Sequence, residues 1–295
     1  MKKFYYKKRN IDDLFEEKVI GSRLIFFLYS SFLGKSVLKV LTKNCVISHL
    51  YGKFMNTKLS RGLIKCFINK NAINIDESKK SLSDFNNFND FFTRELKSLS
   101  RNIDTSSDSI ISPADGKILV YENFEAVAVK GTMFDLDKLI FDKPLTQIYQ
   151  KCSIAVIRLA PTDYHRFHFP IDGYVSETKT INGHYFSVSP IALHFNPKIF
   201  FENKRTICEI KHDDSFSFLY MEIGATLVGS IKQTYRADSY IKKGDEKGYF
   251  EFGGSTVVMI FKNHNIMFDS DLIENSKNNY ETKIFMGDKI GVITK

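Results

Sequence analysis

The sequence predicts an α+β chain in which N-terminal basic amphipathic helices precede a β-rich domain of sandwich or barrel-like type. Cationic and apolar residues alternate with helical spacing as far as residue 67. From residue 110 onward, short runs rich in Val, Ile, Phe and Tyr are separated by Gly-containing turns. With 295 residues, 43% of them hydrophobic, the chain can bury a sizeable core.

Positive charge is concentrated at the N-terminus. Residues 1–70 carry 15 Lys and Arg against four acidic residues, and no acid lies between Lys18 and Lys70. This polarity suits an anionic partner such as a phospholipid surface or nucleic acid. We expect no nucleic acid partner, because no aromatic-basic interleaving accompanies the charge.

The N-terminal helices have a pattern typical of membrane-surface helices. The most apolar run, residues 24–33, is far shorter than the ~20 residues that span a bilayer, and no small-residue cleavage site marks it as a signal peptide. Behind it, Lys35, Lys39 and Lys43 recur at four-residue spacing. Basic amphipathic helices of this kind lie in the headgroup plane, although a helical cap on the core is the alternative.

A domain boundary is predicted near residue 105. Ser-, Asn- and Asp-rich stretches there surround a short helical pattern of Phe85, Phe88, Phe91, Phe92 and Leu96. We therefore predict a helical, membrane-associating region over residues 1–105 and a β-rich catalytic domain over residues 106–295. Within the second region, only residues 136–149 favour a helix.

Three polar clusters interrupt the strand-like runs: SPADG at residues 112–116, PTDYHRFHFP at residues 161–170 and FGGST at residues 252–256. Each alone is a weak signal, since Asp-Gly is usually a turn and two histidines three residues apart fit several roles. Together they supply the hydroxyl, the base and the orienting carboxylate of nucleophilic catalysis.

Ser255 is notable for the residues in front of it. Gly253 and Gly254 remove side-chain bulk and allow strained backbone conformations. A serine in this position could attack its own preceding carbonyl carbon.

The motifs ADG, DYHRFHFP and FGGST, in this order, resemble the signature blocks of bacterial-type phosphatidylserine decarboxylase proenzymes, a pyruvoyl-dependent family. The resemblance extends from about residue 85 to the C-terminus, whereas residues 1–70 match in character more than in motif. Further similar blocks are FNDFFTREL (88–96), VKG (129–131), SVSPIAL (187–193), VGSI (228–231), KGDEKGYF (243–250) and MGDKIG (286–291).

The resemblance implies that Asp115, His168 and Ser255 form a relay for self-cleavage between Gly254 and Ser255. The products would be a large chain (1–254) and a small chain (255–295) that remain associated as a heterodimer. Ser255 would become a covalent pyruvoyl group. Its ketone would form a Schiff base with phosphatidylserine, and loss of CO2 would give phosphatidylethanolamine.

Two neighbouring residues receive provisional roles. His165 is the candidate proton donor to the substrate carbon, with a scaffold histidine as the alternative. Arg166 could bind the lipid phosphate or carboxylate, or form an ordinary salt bridge. We expect a peripheral protein at the cytoplasmic face of the cell membrane, and the sequence leaves a higher oligomer open.

Two other functions compete with this interpretation. His165, His168 and Asp115 could bind zinc in a hydrolase, but that leaves Gly254 and Ser255 unexplained. A non-enzymatic, membrane-bound carrier-like β module would need an exposed Lys between small apolar residues, which the sequence lacks. The four cysteines form no CxxC pair, so we expect neither a disulfide framework nor a zinc knuckle.

Overall fold

The computed structural model describes residues 2–43, 45–124, 128–129, 132–133, 135–225 and 230–294. The predicted α+β class is confirmed, with helices near the N-terminus and a β-rich body after them. The VKG and VGSI blocks lie partly outside the described residues.

The first four N-terminal helices follow one another closely, and a longer segment with two 3-10 turns leads to the fifth. They are α1 (Ser22–Ser30), α2 (Phe32–Lys43), α3 (Cys45–Met55), α4 (Gly62–Asn71) and α5 (Phe88–Phe92). No single described helix is long and apolar enough to cross a membrane. By length and composition, α1 and Phe32–Thr42 meet that criterion only as a pair, bent by 102°.

The β-rich body contains further, shorter helices. They are α6 (Leu136–Ile140), α7 (Lys143–Ile148), α8 (Pro190–Phe195), α9 (Ile199–Glu202) and α10 (Ser270–Lys277). The first two fill the segment predicted as helical, where the side chains of Asp135 and Asp142 cap them. The last three were not predicted, because four to eight residues are too few to establish a helical period. The Ser189 cap and Pro190 at the start of α8 are the local signal for that helix.

The strands are β1 (Tyr5–Lys8), β2 (Ile11–Glu16), β3 (Ser109–Ile111), β4 (Gly116–Phe124), β5 (Ala128–Val129), β6 (Thr132–Met133), β7 (Cys152–Leu159), β8 (Arg166–His168), β9 (Gly173–Val175), β10 (Lys179–Ile181), β11 (Arg205–Lys211), β12 (Ser217–Gly224), β13 (Ile231–Gln233), β14 (Ser239–Ile241), β15 (Glu246–Phe250), β16 (Ser255–Lys262), β17 (Ile266–Phe268), β18 (Glu281–Ile284) and β19 (Lys289–Ile293). Eleven of them form one large sheet in the order β14-β9-β11-β12-β16-β7-β4-β18-β1-β2, with β10 beside β11. Two three-stranded sheets, β13-β15-β8 and β17-β19-β3, and the β5-β6 pair complete the described strands.

Strand β16 lies in the middle of the large sheet, between β12 and β7, and is antiparallel to both. Its residues alternate between two hydrophobic cores. Val257 and Met259 belong to the core shared with the smaller sheets, whereas Val258 and Ile260 belong to the core beneath the helices. Both faces of β16 are therefore buried, which explains its continuous apolar sequence.

A third core joins the N-terminal helices to the segment before β16. It contains the aromatic side chains that formed the predicted helical pattern around residue 88, together with Met55 and Ile64. Phe252 packs into it, with its ring 5.1 Å from that of Phe88 and 5.0 Å from that of Phe92. The helical region thus contacts the chain three residues before Ser255.

The first two strands were not predicted. Strand β1 runs parallel to β18 at the edge of the large sheet, and β2 continues that edge. Just after β2, Glu17 is buried and pairs with Arg158 at 2.6 Å and Lys117 at 3.3 Å. Residues 5–17 therefore belong to the main sheet, and the helical part of the N-terminal region begins after them.

Candidate active site

Ser255 is the first residue of β16 and is fully buried. Its backbone is paired with Gly224 of β12 and Leu159 of β7. Its Oγ atom has no hydrogen-bond partner among the described residues. Leaving a buried hydroxyl unpaired costs about 1–3 kcal/mol, so such a group in a native fold requires an explanation, and a catalytic role is one.

The two residues before Ser255 favour glycine for different reasons. Gly253 has a φ of 153°, which residues with side chains rarely adopt. At Gly254, an added Cβ would lie 3.1 Å from Val188 Cγ2, which is tight. The Phe252 backbone N–H, which donates to Asn89 Oδ1 at 3.0 Å, ties this segment to α5.

His165 is held in a buried turn before β8. Asp163 shapes the turn, since its Oδ2 atom accepts a hydrogen bond from Ala160 N at 2.8 Å. The Asp163 carbonyl oxygen then lies 2.9 Å from His165 Nδ1, and the imidazole stacks on Phe92 at 3.9 Å between ring centroids. A carbonyl oxygen can only accept, so we assign the hydrogen to Nδ1 and the lone pair to Nε2.

His165 Nε2 is buried without a hydrogen-bond partner in the described structure. Burial lowers the pKa of His165 to about 4, so the side chain is neutral at pH 7. The chain connects it to Ser255, because Phe250 N donates to the His165 carbonyl oxygen at 2.9 Å, five residues before the serine. This region thus holds a neutral base and a hydroxyl, both without partners.

His168, on β8, has a partner on each ring nitrogen. Nδ1 lies 2.9 Å from the Gly244 carbonyl oxygen, and Nε2 lies 3.1 Å from the Tyr164 hydroxyl. Burial lowers the pKa of His168, and the hydrogen bond to the Gly244 carbonyl oxygen and the charges of Glu246 and Asp115 oppose that effect. The imidazole is therefore also a neutral base, whose Nε2 lone pair accepts from Tyr164.

Asp115, at the turn before β4, is buried and firmly held. Arg101 Nε and Nη2 donate to the carboxylate at 2.9 and 2.5 Å, and Met286 N donates at 2.9 Å. Arg101 also contacts Glu77 at 2.9 Å. Among the hydrogen bonds of the described residues, none links Asp115 to His168 or His168 to Ser255.

Arg166 is already neutralised. It pairs with Glu246 at 2.7 Å and Glu95 at 3.6 Å, and its Nε donates to the Thr93 carbonyl oxygen at 2.9 Å. Of the two roles that the sequence left open, this arrangement favours the salt bridge.

Arg94, which sequence reasoning missed, is the contrasting case. The residue is 7% exposed, and its side chain makes no hydrogen bond or ion pair with any part of the chain that the structure describes. Its guanidinium carbon lies 5.1 Å from the centre of the Phe91 ring. The FNDFFTREL block contains this residue, but a sequence cannot show that an arginine is buried without a direct hydrogen-bond or ion-pair partner.

The zinc hypothesis needs His165, His168 and Asp115 as one ligand set. The described residues contain no group of three or more His, Cys, Asp or Glu side chains placed to hold a metal ion. The three residues instead face different partners: the Asp163 carbonyl, the Gly244 carbonyl and Arg101.

The fold thus buries an unpartnered hydroxyl in the same region as two neutral histidines, which are side-chain types that enzyme active sites use. The family model described as phosphatidylserine decarboxylase matches residues 88–292. Proteins named phosphatidylserine decarboxylase proenzyme are 44% identical in Fusobacterium nucleatum, over 98% of this chain and 97% of the relative, and 44% in Clostridium tetani, over 99% and 98%. The relative of that name in Chlamydia caviae is 45% identical, over 99% of this chain and 98% of its own length.

The chain belongs to the phosphatidylserine decarboxylase family, and it is an enzyme. The resemblance seen in the sequence blocks is confirmed. The relatives align over nearly the whole chain, so the likeness also includes the N-terminal helices, where motifs alone were weak.

Proposed function

We propose that this chain decarboxylates phosphatidylserine to phosphatidylethanolamine and CO2, using a pyruvoyl group made from Ser255 by self-cleavage after Gly254. The observation that carries the proposal is the buried, unpartnered Ser255 Oγ directly after two glycines, at the start of a central strand. The names of the relatives support the substrate.

Self-cleavage begins when Ser255 Oγ attacks the carbonyl carbon of Gly254. The Gly254–Ser255 amide C–N bond breaks, an ester forms, and the hydroxyl proton passes through a base to the freed amine. Loss of the Ser255 α-hydrogen then expels Gly254 as a carboxylate and leaves dehydroalanine. Its imine tautomer reacts with water, which releases ammonia and leaves the pyruvoyl group.

We assign the base of self-cleavage to His168 and the orienting carboxylate to Asp115. Burial keeps His168 neutral, as this step requires. Because Nε2 faces Tyr164 at 3.1 Å, the Ser255 proton reaches it after that hydrogen bond breaks or by way of the Tyr164 hydroxyl.

One observation favours a second assignment, in which His165 is the base: its Nε2 atom is free, whereas that of His168 is occupied. The two histidines are distinguished by replacing each with Ala. Under the first assignment, only His168→Ala stays uncut, and His165→Ala is cut but does not decarboxylate. Under the second, His165→Ala stays uncut and His168→Ala is cut.

The surroundings of Ser255 fit a pyruvoyl group. Ser255 Oγ leaves with Gly254 and Cβ becomes the methyl carbon of the pyruvoyl group, so a fully buried position without a hydrogen-bond partner suits the apolar product. When present, the group supplies a ketone for the substrate amine and an electron sink for the electron pair left by CO2. We assign to His165 Nε2 the proton that the α-carbon takes up. The charge of an anionic substrate would raise the pKa of His165 and favour that proton.

We further propose that the protein binds peripherally to the cytoplasmic face of the cell membrane through α1–α4. Phe32 is 90% exposed and Leu59 is 80% exposed, within a stretch that lacks acidic residues. Such a combination suits insertion of apolar side chains between anionic headgroups.

A cleft beneath these helices offers a path for the lipid. Its volume is about 800 Å³. Apolar side chains line much of it, with cationic ones among them, and Phe252 connects it to the segment before Ser255. The residues of this lining that matter here are Tyr51, Phe67, Phe88 and Phe252, together with Lys18, Arg23 and Lys70.

Intact mass spectrometry tests the central proposal. We expect two wild-type chains separated after Gly254, with a small chain that lacks an amino terminus and reacts with hydrazine. Ser255→Ala should give one uncut chain that releases no CO2 from phosphatidylserine vesicles. Ser239→Ala, a change of the same size in β14, should be cut normally. A single uncut wild-type chain would refute the cofactor and the reaction.

A further inference from the structure

Arg94 is a buried cation that has no direct partner among the described residues. Burial lowers its pKa, and the charges of Asp115, Asp163 and Glu77 oppose that effect only in part. Only 7% of the residue is exposed, its Nε atom is fully buried, and its side chain has no hydrogen bond or ion pair with a described residue. Removing a charge from water without a partner is costly, so a fold retains it when something outside the fold supplies the partner.

The other two buried arginines of the described structure have direct hydrogen-bond or ion-pair partners. Arg158 pairs with Glu17 at 2.6 Å and Glu281 at 2.5 Å. Arg205 donates to four backbone carbonyl oxygens, including those of Lys138 and Leu139. Arg94 alone among these three has an unsatisfied guanidinium.

The position of Arg94 connects it to the reacting residues. It follows Phe92 by two residues, and the Phe92 ring stacks on His165 at 3.9 Å. After burial, the Arg94 charge is among the effects that lower the pKa of His165. On its other side, Phe92 lies 5.0 Å from Phe252, close in sequence to Ser255.

We propose that Arg94 binds the phosphodiester of the substrate inside the active site. The inference rests on the proposed function and adds a residue that determines which amines the site accepts. A guanidinium presents paired N–H donors that match two phosphate oxygens, and a dry setting strengthens the contact. A free amino acid has no group to neutralise Arg94 once its carboxylate has left.

The chemistry selects the phosphodiester over the carboxylate. In the transition state, negative charge leaves the carboxylate, so a cation paired with it would stabilise the ground state more than the transition state and slow the reaction. The phosphodiester keeps its charge from substrate to product. A fixed cation can therefore bind it without opposing the chemical step.

Self-cleavage creates a second anion in this region, the new carboxylate of Gly254. The segment is tied to α5 through Phe252 N and Asn89 Oδ1, so this carboxylate is a rival partner for Arg94. The two candidate anions are distinguishable by experiment. Pairing of Arg94 with the phosphodiester would affect substrate binding, whereas pairing with the Gly254 carboxylate would affect the association of the two chains.

The test compares Arg94→Met and Arg94→Lys with wild type on soluble dihexanoyl phosphatidylserine. We expect both variants to be cut normally and Arg94→Met to raise KM about 10- to 100-fold, as expected for the loss of a charge-assisted contact, with a much smaller change in kcat. The KM of Arg94→Lys should lie between the KM of wild type and that of Arg94→Met. Arg236→Met, which removes an exposed cation, should match wild type.

The second part of the test uses a serine ester that lacks phosphate as the substrate. Arg94→Met should leave the KM of this ester unchanged, because the group that Arg94 binds is missing. An unchanged KM for dihexanoyl phosphatidylserine in Arg94→Met would overturn the proposal. The same result with easier separation of the cut chains would assign Arg94 to the Gly254 carboxylate instead.

Arg94→Lys keeps the proposal testable if Arg94→Met does not fold. It retains the charge but not the paired donors, so an unchanged KM in this variant would also overturn it. Failure of the proposed function is distinguishable, since an uncut wild-type chain would appear by mass spectrometry before any substrate is added.

Discussion

Burial sets the protonation of both histidines near Ser255. Removing an imidazole from water disfavours its charged form, and the pKa of His165 falls to about 4 as a result. The pKa of His168 is lowered for the same reason, although the hydrogen bond to Gly244 and the charges of Glu246 and Asp115 oppose the effect. In the uncut chain both side chains are bases rather than acids at neutral pH.

This protonation predicts how self-cleavage depends on pH. A lowered pKa keeps the base neutral in more acidic solution, so the rate constant should fall by clearly less than about tenfold between pH 8 and pH 5.5. A histidine with the ordinary pKa of about 6.5 would be roughly 90% protonated at pH 5.5 and would slow the reaction about tenfold. Precursor made by cell-free translation and transferred to buffers of known pH gives the rate on denaturing gels.

A tenfold fall in the rate constant between pH 7.5 and pH 5.5 would contradict this expectation. His212→Ala provides the control, because that histidine lies outside the site and its removal should leave the profile unchanged.

The sequence could predict the residue types of the site but not their contacts. Gly253, Gly254 and Ser255 are recognisable because bond cleavage needs small neighbours and a hydroxyl. The partners of Asp115 were not predictable, since Arg101 approaches it only through the fold. Arg94 was missed for the same reason, because the absence of a direct ion-pair partner has no sequence signal.

At the scale of elements, the N-terminal helices combine two surfaces. One packs on the body, as shown by the buried side chains of Tyr29 in α1 and Ile64 in α4. The other leaves large apolar side chains in solvent, most of all Phe32 at the bend between α1 and α2. The sequence alternatives of a membrane-binding surface and a packed cap are therefore compatible with each other.

Replacing Phe32 and Leu59 together with Ser should weaken vesicle binding at least about tenfold, because each large apolar side chain contributes roughly 1.5–3 kcal/mol when fully buried. Cosedimentation with phosphatidylserine-containing vesicles measures the effect. Leu99→Ser is the matched control, since Leu99 is 96% exposed but lies outside α1–α4. Equal binding by the double variant and wild type would refute membrane docking through these residues.

Periodicity predicted the long elements and failed for short ones. Helix α2 has enough residues to show a helical period and strand β16 is a long apolar run, whereas α9 has four residues. The charged segment of β1 and β2 resembles a tail in sequence. It becomes part of the sheet through pairing with β18, about 270 residues away, which no local pattern reveals.

For the whole molecule, the small chain would be an interior part of the sheet. Residues 255–295 contribute β16 between β12 and β7, and β18 between β4 and β1. Separating the chains would break backbone pairing along both edges of β16 and expose its apolar side chains on both faces.

We therefore expect the two chains to elute together in size-exclusion chromatography without denaturant, at the volume of uncut Ser255→Ala. Urea should release them only as the sheet unfolds, so far-ultraviolet circular dichroism and chain separation should share one midpoint. Loss of the small chain from folded protein would show that β16 contributes less to stability than its burial indicates.

The central position of β16 also constrains how the protein can be produced. A ribosome that made residues 1–254 alone would release a chain with a gap between β7 and β12, and both exposed strand edges would invite aggregation. Synthesis as a single chain that is cut only after folding, as proposed above, would avoid that hazard and would supply the two subunits in equal number. The one-to-one stoichiometry would then follow from the single precursor and would not require regulated expression of two genes.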